Sequence, residues 1–121
     1  MDNKGYKYDV EGLAAELEVD LESIVGLFSS YFEEMKEEVS SMQELLSKND
    51  WYMLARVIHN IKGVSANLSI QDVFDEAAAF DSRLKLNNTN NATTYVEKIM
   101  DLISKAEIEI MDIFKEKGLS L

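Results

Sequence analysis

Residues 20–46 read DLESIVGLFSSYFEEMKEEVSSMQELL. Apolar side chains recur in this stretch at Ile24, Leu27, Phe28, Tyr31, Met35, Val39, Met42, Leu45 and Leu46. The steps are threes and fours throughout, the mark of one amphipathic helix of about 27 residues and roughly 40 Å. Asp20 reads as its N-cap, because Glu22 stands in the first turn and the apolar period begins at once. The polar run Ser47, Lys48, Asn49, Asp50 closes the helix and supplies the cap of the next one.

The same period continues on both sides. Upstream, Val10 to Leu17 predicts a short helix with Leu13, Leu17 and Ala14 turned inward. Downstream, a helix from Trp51 carries Leu54, Val57, Ile58, Ile61, Val64 and Leu68 on its apolar side and ends between Asn67 and Ser69. Ser69 and Asp72 have the spacing of a capping box, with aspartate where glutamate or glutamine is usual. The next helix turns Val73, Ala77, Phe80 and Leu84 inward. Asn87, Asn88, Thr89, Asn90 and Asn91 form the clearest loop, five residues of poor helix propensity. The last helix runs from about Ala92 to Lys117, with Tyr95 or Val96, Ile99, Leu102 or Ile103, Ala106, Ile110, Ile113 and Phe114 inside. Lys115 and Lys117 suit its negative end, and Gly118 can take a left-handed cap.

Long helices joined by short connections pack antiparallel to their neighbours. The expected fold is all-α, an antiparallel up-down four-helix bundle with a short extra N-terminal helix across one end. No internal repeat or boundary divides residues 1–121, so a single domain is expected. The stripes hold no strict heptad over several turns, which argues against an extended coiled coil.

Composition agrees. In 121 residues there is no proline, and the five glycines leave few turn signals. The absence of cysteine removes disulfides, thiolate zinc sites and cysteine nucleophiles together. With one histidine, a multi-histidine metal site is impossible. The net charge of −11 would repel nucleic acid phosphates and anionic lipid, so the expected partners are other proteins or cations, with no nucleic acid and no membrane. Met1, Asp2, Asn3 and Lys4 do not open a secretory signal, and no apolar run approaches a membrane span. Met1 and the tail Gly118 to Leu121 read as natural ends, and a reducing, cytoplasmic setting and a monomer are expected.

On a wheel of about 100° per residue, Leu54, Val57, Ile61, Val64 and Leu68 gather opposite His59. Around His59 lie Tyr52, Ala55, Arg56, Lys62, Gly63, Ala66 and Asn67. The sole histidine therefore points to solvent from the middle of a helix, with a cation at i+3 and glycine at i+4. A mid-helix glycine costs about 1 kcal/mol relative to alanine, so an exposed one suggests that something approaches the backbone closely. Ala55 and Ala66 extend the same low relief. An imidazole, a cation and a shallow floor make a docking site for an anionic reacting group. The run Glu33, Glu34, Glu37, Glu38 lacks the loop and glycine of an EF-hand and reads as a solvated face.

The stretch from Ala55 to Leu68, ARVIHNIKGVSANL, resembles the signature of histidine phosphotransfer (HPt) domains. Those domains carry a His-x-x-Lys-Gly core, a small residue or serine shortly after it, and a leucine before a glycine. Here Ser69 stands where the family usually has that glycine, and Asp81 stands where many members have glutamate or glutamine. The resemblance implies a phosphorelay intermediate: a response-regulator receiver passes a phosphoryl group from its aspartate to His59, and a second receiver collects it. A hybrid sensor kinase is a further possible partner. The resemblance also implies that Nε2 of His59 attacks, that Lys62 offsets phosphoryl charge, and that magnesium is held by the receiver, with no cofactor on this chain. Asp81 is the candidate for holding Nδ1–H, on a strip with Phe74, Ala78 and Lys85. Tyr52, Ala55, Arg56, Gly63, Ala66 and Asn67 are the expected partner-binding residues. The chain is then a phosphoryl carrier rather than a turnover enzyme. The contrasting reading is a non-catalytic helical interaction module, for which Trp51, Tyr52 and Met53 supply spare apolar surface.

Overall fold

The computed structural model describes residues 5–121. The reading of Met1 to Lys4 as no signal lies outside the described residues. Five helices follow one another: α1 (Val10–Leu17), α2 (Leu21–Ser47), α3 (Trp51–Asn67), α4 (Gln71–Lys85) and α5 (Ala92–Glu116). Among the described residues there is no strand. No helix is long and apolar enough to cross a membrane. α2 packs on α3 and α5, α4 packs on α3 and α5, and α1 packs on α2.

Local chemistry sets the starts. Asp20 accepts from the backbone N–H of Ser23, Asp50 from Met53, and Asp9 from Gly12, each satisfying a donor the helix leaves open. All five helices end alike. Glu18, Asn49, Ser69, Asn87 and Gly118 adopt positive φ, from 55° to 76°. The next residue then reaches back five positions, as Val19 to Ala14, Asp50 to Leu45, Ile70 to Ser65, Asn88 to Arg83 and Leu119 to Phe114. These paired bonds satisfy carbonyls that would otherwise be orphaned.

Ser69 is therefore the left-handed stop of α3, not the cap of α4. α4 starts from Ile70 with no side-chain cap, which corrects the capping box. Asp72 is engaged elsewhere: the Tyr8 hydroxyl donates to its two oxygens at 2.8 and 2.9 Å. The backbone N–H groups of Lys7 and Tyr8 donate to Glu109, so the segment before α1 ties α4 to α5. Because a β-carbon is disfavoured at positive φ, Ser69→Gly should stabilise the chain by about 0.5–1 kcal/mol. Urea unfolding of the two proteins measures it, and a lower midpoint for the glycine variant contradicts this account of the turn.

The core holds the expected stripes: Ile24, Phe28, Tyr31, Met35 and Met42 from α2, Leu54, Ile58 and Ile61 from α3, Val73, Ala77, Phe80 and Leu84 from α4. On α5 the open pairs resolve to Val96 and Ile103, with Ile99, Ala106, Ile110, Ile113 and Phe114. Val57, Val64 and Leu68 are only half-buried. Leu17 and Leu27, expected inside, are exposed. Leu27 stands about 100° round α2 from Phe28, at the edge of the stripe, while Ile24 and Phe28 on either side of it in sequence stay fully buried. α1 packs through Val10, Leu13 and Ala14; one further turn, about 5.4 Å, carries Leu17 off the covered surface. Phe32 joins the core unannounced, edge-on to Tyr31 at 4.9 Å.

Candidate functional site

Leu54, Ile58 and Ile61 are fully buried on one side of α3, which forces the opposite face outward. His59 sits on that face with its side chain 63% exposed. Tyr52, Arg56, Gly63, Ala66 and Asn67 are exposed along it, and Ala55 is half-buried. A β-carbon built on Gly63 meets no atom within 4 Å, so no other helix demands glycine there. Gly26 on α2 is equally open.

The neighbour of His59 from α4 is Asp81. Its Oδ2 lies 3.5 Å from His59 Nδ1, 2.9 Å from Lys62 Nζ and 3.1 Å from Lys85 Nζ. The Asp81 side chain is only 3% exposed, Lys62 24% and Lys85 62%. A buried carboxylate thus stands beneath an exposed imidazole, with one shielded and one mobile lysine on the same oxygen. As a residue that flanks the apolar strip of α4, Asp81 could equally have been a solvated carboxylate or an i+4 partner of Lys85; it is buried, and it does pair with Lys85. Its burial was legible, since Asp81 falls four residues after Ala77 and three before Leu84, in line with the apolar stripe.

Burial alone pushes the Asp81 carboxyl up, but hydrogen bonds from Lys62 and Lys85, the Lys62 charge and His59 outweigh it and hold it below the ordinary carboxylate value. A depressed folded-state value contributes stability above the unfolded value, and that stability is lost as pH falls through the folded one. Asp81→Asn should therefore cost about 1.5–3 kcal/mol near neutrality, the worth of hydrogen bonds to a charged group. The gap between the two proteins should close well below about pH 4. Denaturant melts across pH check it; a gap that is constant down to strong acid excludes the ion cluster as its source.

Two contacts beside the site were not foreseen. Asn60, next to His59, donates from Nδ2 to Glu34 at 2.8 Å and Glu38 at 2.5 Å, fastening α3 to α2. Ser65 is fully buried and shares a 2.7 Å hydrogen bond with the Tyr31 hydroxyl. Its burial could have been read from its place four residues after Ile61 and seven after Ile58. The Asn60 contact carries no local signal, because it joins residues 22 and 26 positions apart. Burial pushes the Tyr31 phenol up, well above its usual range, so it remains a neutral hydrogen-bonding group. Among the described residues no group of acidic or histidine side chains has the arrangement to hold a metal ion.

What the arrangement can do follows from these pieces. An exposed imidazole can present a ring nitrogen to an incoming anionic group, a buried carboxylate can hold the other nitrogen, and lysine charge lies within reach of both. Residues 26–109 match the family model described as Hpt domain. No curated protein and no solved structure gives a significant match.

Proposed function

The chain belongs to the Hpt domain family, and on that premise we propose that it is a phosphorelay intermediate. The family takes part in two-component phosphotransfer and works with response-regulator receivers and kinases. In the proposed reaction His59 accepts a phosphoryl group from the aspartyl phosphate of one receiver and yields it to another. The observation that carries this reading is the exposed His59 imidazole set over the buried Asp81, with Lys62 alongside.

The step balances simply. The Nε2 lone pair attacks phosphorus in line, a P–N bond forms, and the P–O bond to the receiver's aspartate breaks. The electron pair leaves with that carboxylate. Nδ1 keeps the ring proton, and the Asp81 charge offsets the positive charge gained by the ring. Lys62 is two-dentate in function rather than geometry: it steadies Asp81 at rest and offsets phosphoryl charge during transfer. Magnesium, carried by the receiver, supplies further charge neutralisation there. Return to a second receiver reverses the sequence, so the chain acts as a carrier and not as a turnover enzyme.

The docking surface in this reading is Tyr52, Ala55, Arg56, Gly63, Ala66 and Asn67, around His59. The scaffold is an up-down antiparallel bundle forming one domain over residues 1–121. Asn60 meeting Glu34 and Glu38 while Ser65 meets Tyr31 supports that direction for α2 and α3. A monomer in the cytoplasm, with no nucleic acid or membrane partner, completes the proposal.

A panel of phosphorylated receivers tests it. The chain should gain label that is acid-labile and stable in alkali, as a phosphoramidate is, and then lose it to a second receiver. Lys62→Ala should slow the transfer by about 10- to 100-fold, the loss of one charge-assisted contact of about 1.5–3 kcal/mol, without unfolding the chain. Receivers that bind without labelling establish the interaction module instead. An unchanged rate for Lys62→Ala reduces Lys62 to a structural partner of Asp81.

A further inference from the structure

Three donors converge on one oxygen. Asp81 Oδ2 receives Lys62 at 2.9 Å, Lys85 at 3.1 Å and His59 Nδ1 at 3.5 Å. A carboxylate oxygen offers about two lone-pair directions, so two ammonium groups fill it. The imidazole is left at the longest distance, outside the usual 2.7–3.2 Å of an N–H···O bond. The two lysines differ in kind. Lys62 is three-quarters shielded between α3 and α4, whereas Lys85 is 62% exposed in the last turn of α4.

We infer that Lys85 governs, through Asp81, which ring nitrogen of His59 carries the proton: it occupies the carboxylate at rest and vacates it when a phosphoryl group draws the lysine away. A neutral imidazole holds its single proton on either nitrogen, and the neighbouring acceptor decides which. With Lys85 in place, Asp81 is a weak selector. With Lys85 gone, Oδ2 is open to accept Nδ1–H, which leaves the Nε2 lone pair outward. The Lys85 ammonium is solvated on its outer side, so an arriving phosphoryl group of about two negative charges can compete with Asp81 for it. One N–H bond replaces the other: Nε2 gives its proton to water, water returns a proton to Nδ1, and the ring stays neutral while the cation relocates. The other charged groups near the imidazole do not take this role: Glu34 and Glu38 on α2 are held by Asn60, and the cations paired with Asp81 are Lys62 and Lys85 rather than Arg56. Lys85 is thus a positioning residue, and the inference rests on His59 being the phosphoryl acceptor for its purpose but not for its test.

His59 is the only histidine, so its ring nitrogens give one set of signals in a long-range proton–nitrogen correlation spectrum of the whole chain. Recorded near pH 8.5, the Nδ1–H to Nε2–H ratio should rise about three- to fivefold in Lys85→Met. Lys85→Arg should keep the native ratio. Adding Asp81→Leu to Lys85→Met should abolish the rise. An unchanged ratio in Lys85→Met, the same rise in Lys85→Arg, or a rise that survives without the carboxylate overturns the inference. The measurement needs no receiver. A chain that never takes label yet shows the shift loses the relay reading and keeps this one, and the reverse pair of results does the opposite.

Discussion

Gly63→Gln should abolish phosphoryl transfer while keeping the helical circular dichroism and the cooperativity of the melt. Gly63 lies one turn after His59 on the same exposed face, and a side chain added there meets open space. The fold therefore has no objection to it. A receiver does, because a glutamine side chain stands in the path of the loop that carries its phosphoaspartate. A misplacement of about 1 Å already costs on the order of 100-fold in rate, and a glutamine displaces the partner by more than that. Gly63→Ala supplies the control. It removes a helix-weakening residue at an uncrowded site and should be neutral or stabilising by up to about 1 kcal/mol. A lower melting temperature for the alanine variant, or full transfer by the glutamine variant, rejects the docking role.

Phe80→Ala should cost about 3–5 kcal/mol of stability, enough to threaten the folded state of a domain this size. Phe80 is fully buried and stacks on Tyr95 of α5, with centroids 5.0 Å apart and rings nearly parallel. The Arg83 guanidinium lies 5.5 Å from the same tyrosine ring. Truncation leaves a void on one face of Tyr95 and loosens the join between α4 and α5. Phe80 is also the chain neighbour of Asp81, so the packing that holds α4 is what holds the carboxylate under His59. Chemical denaturation gives the number. A loss below about 1 kcal/mol would mean that the aromatic stack is not what fixes α4.

Much of the fold is legible in the sequence. Helix limits follow from a stripe bounded by caps: Asp20 and Asp50 announce α2 and α3, and both caps form. The exposure of His59 follows from Leu54, Val57, Ile61, Val64 and Leu68 gathering opposite, of which Leu54 and Ile61 are fully buried. Ser69 was misread because a small polar residue between two helices suits either an N-cap or a left-handed stop. The deciding bond, from Ile70 to the Ser65 carbonyl, belongs to the helix already ending. Asp72 was misread for a different reason, since Tyr8, its partner, is 64 positions away. Leu17 and Leu27 show the limit of periodicity. A stripe marks a face, but its edge, as at Leu27, and its end, as at Leu17, are buried only where a neighbouring helix reaches them.

The candidate site divides the same way. The histidine, lysine and glycine spacing lies within five residues of one helix and was legible. Asp81 was found as a flanking residue but not as a buried one, although its stripe position pointed inward. The crowding of Lys62, Lys85 and His59 on one oxygen depends on how α3 and α4 are set against each other, and no local pattern encodes that distance. The acidic excess of α2, with Glu33, Glu34, Glu37 and Glu38, leaves the cations Arg56, Lys62 and Lys85 as a local positive region on an otherwise acidic chain. That contrast suits an anionic reacting group arriving at His59.

The measurement that bears most directly on this account is receiver-dependent labelling of the native chain beside His59→Gln, with the labelled residue located by peptide mass spectrometry under alkaline conditions. The account predicts one phosphoryl group per chain, found at His59, and no label on the glutamine variant despite an unchanged melt. Label on His59→Gln, or on any other residue of the native chain, contradicts it.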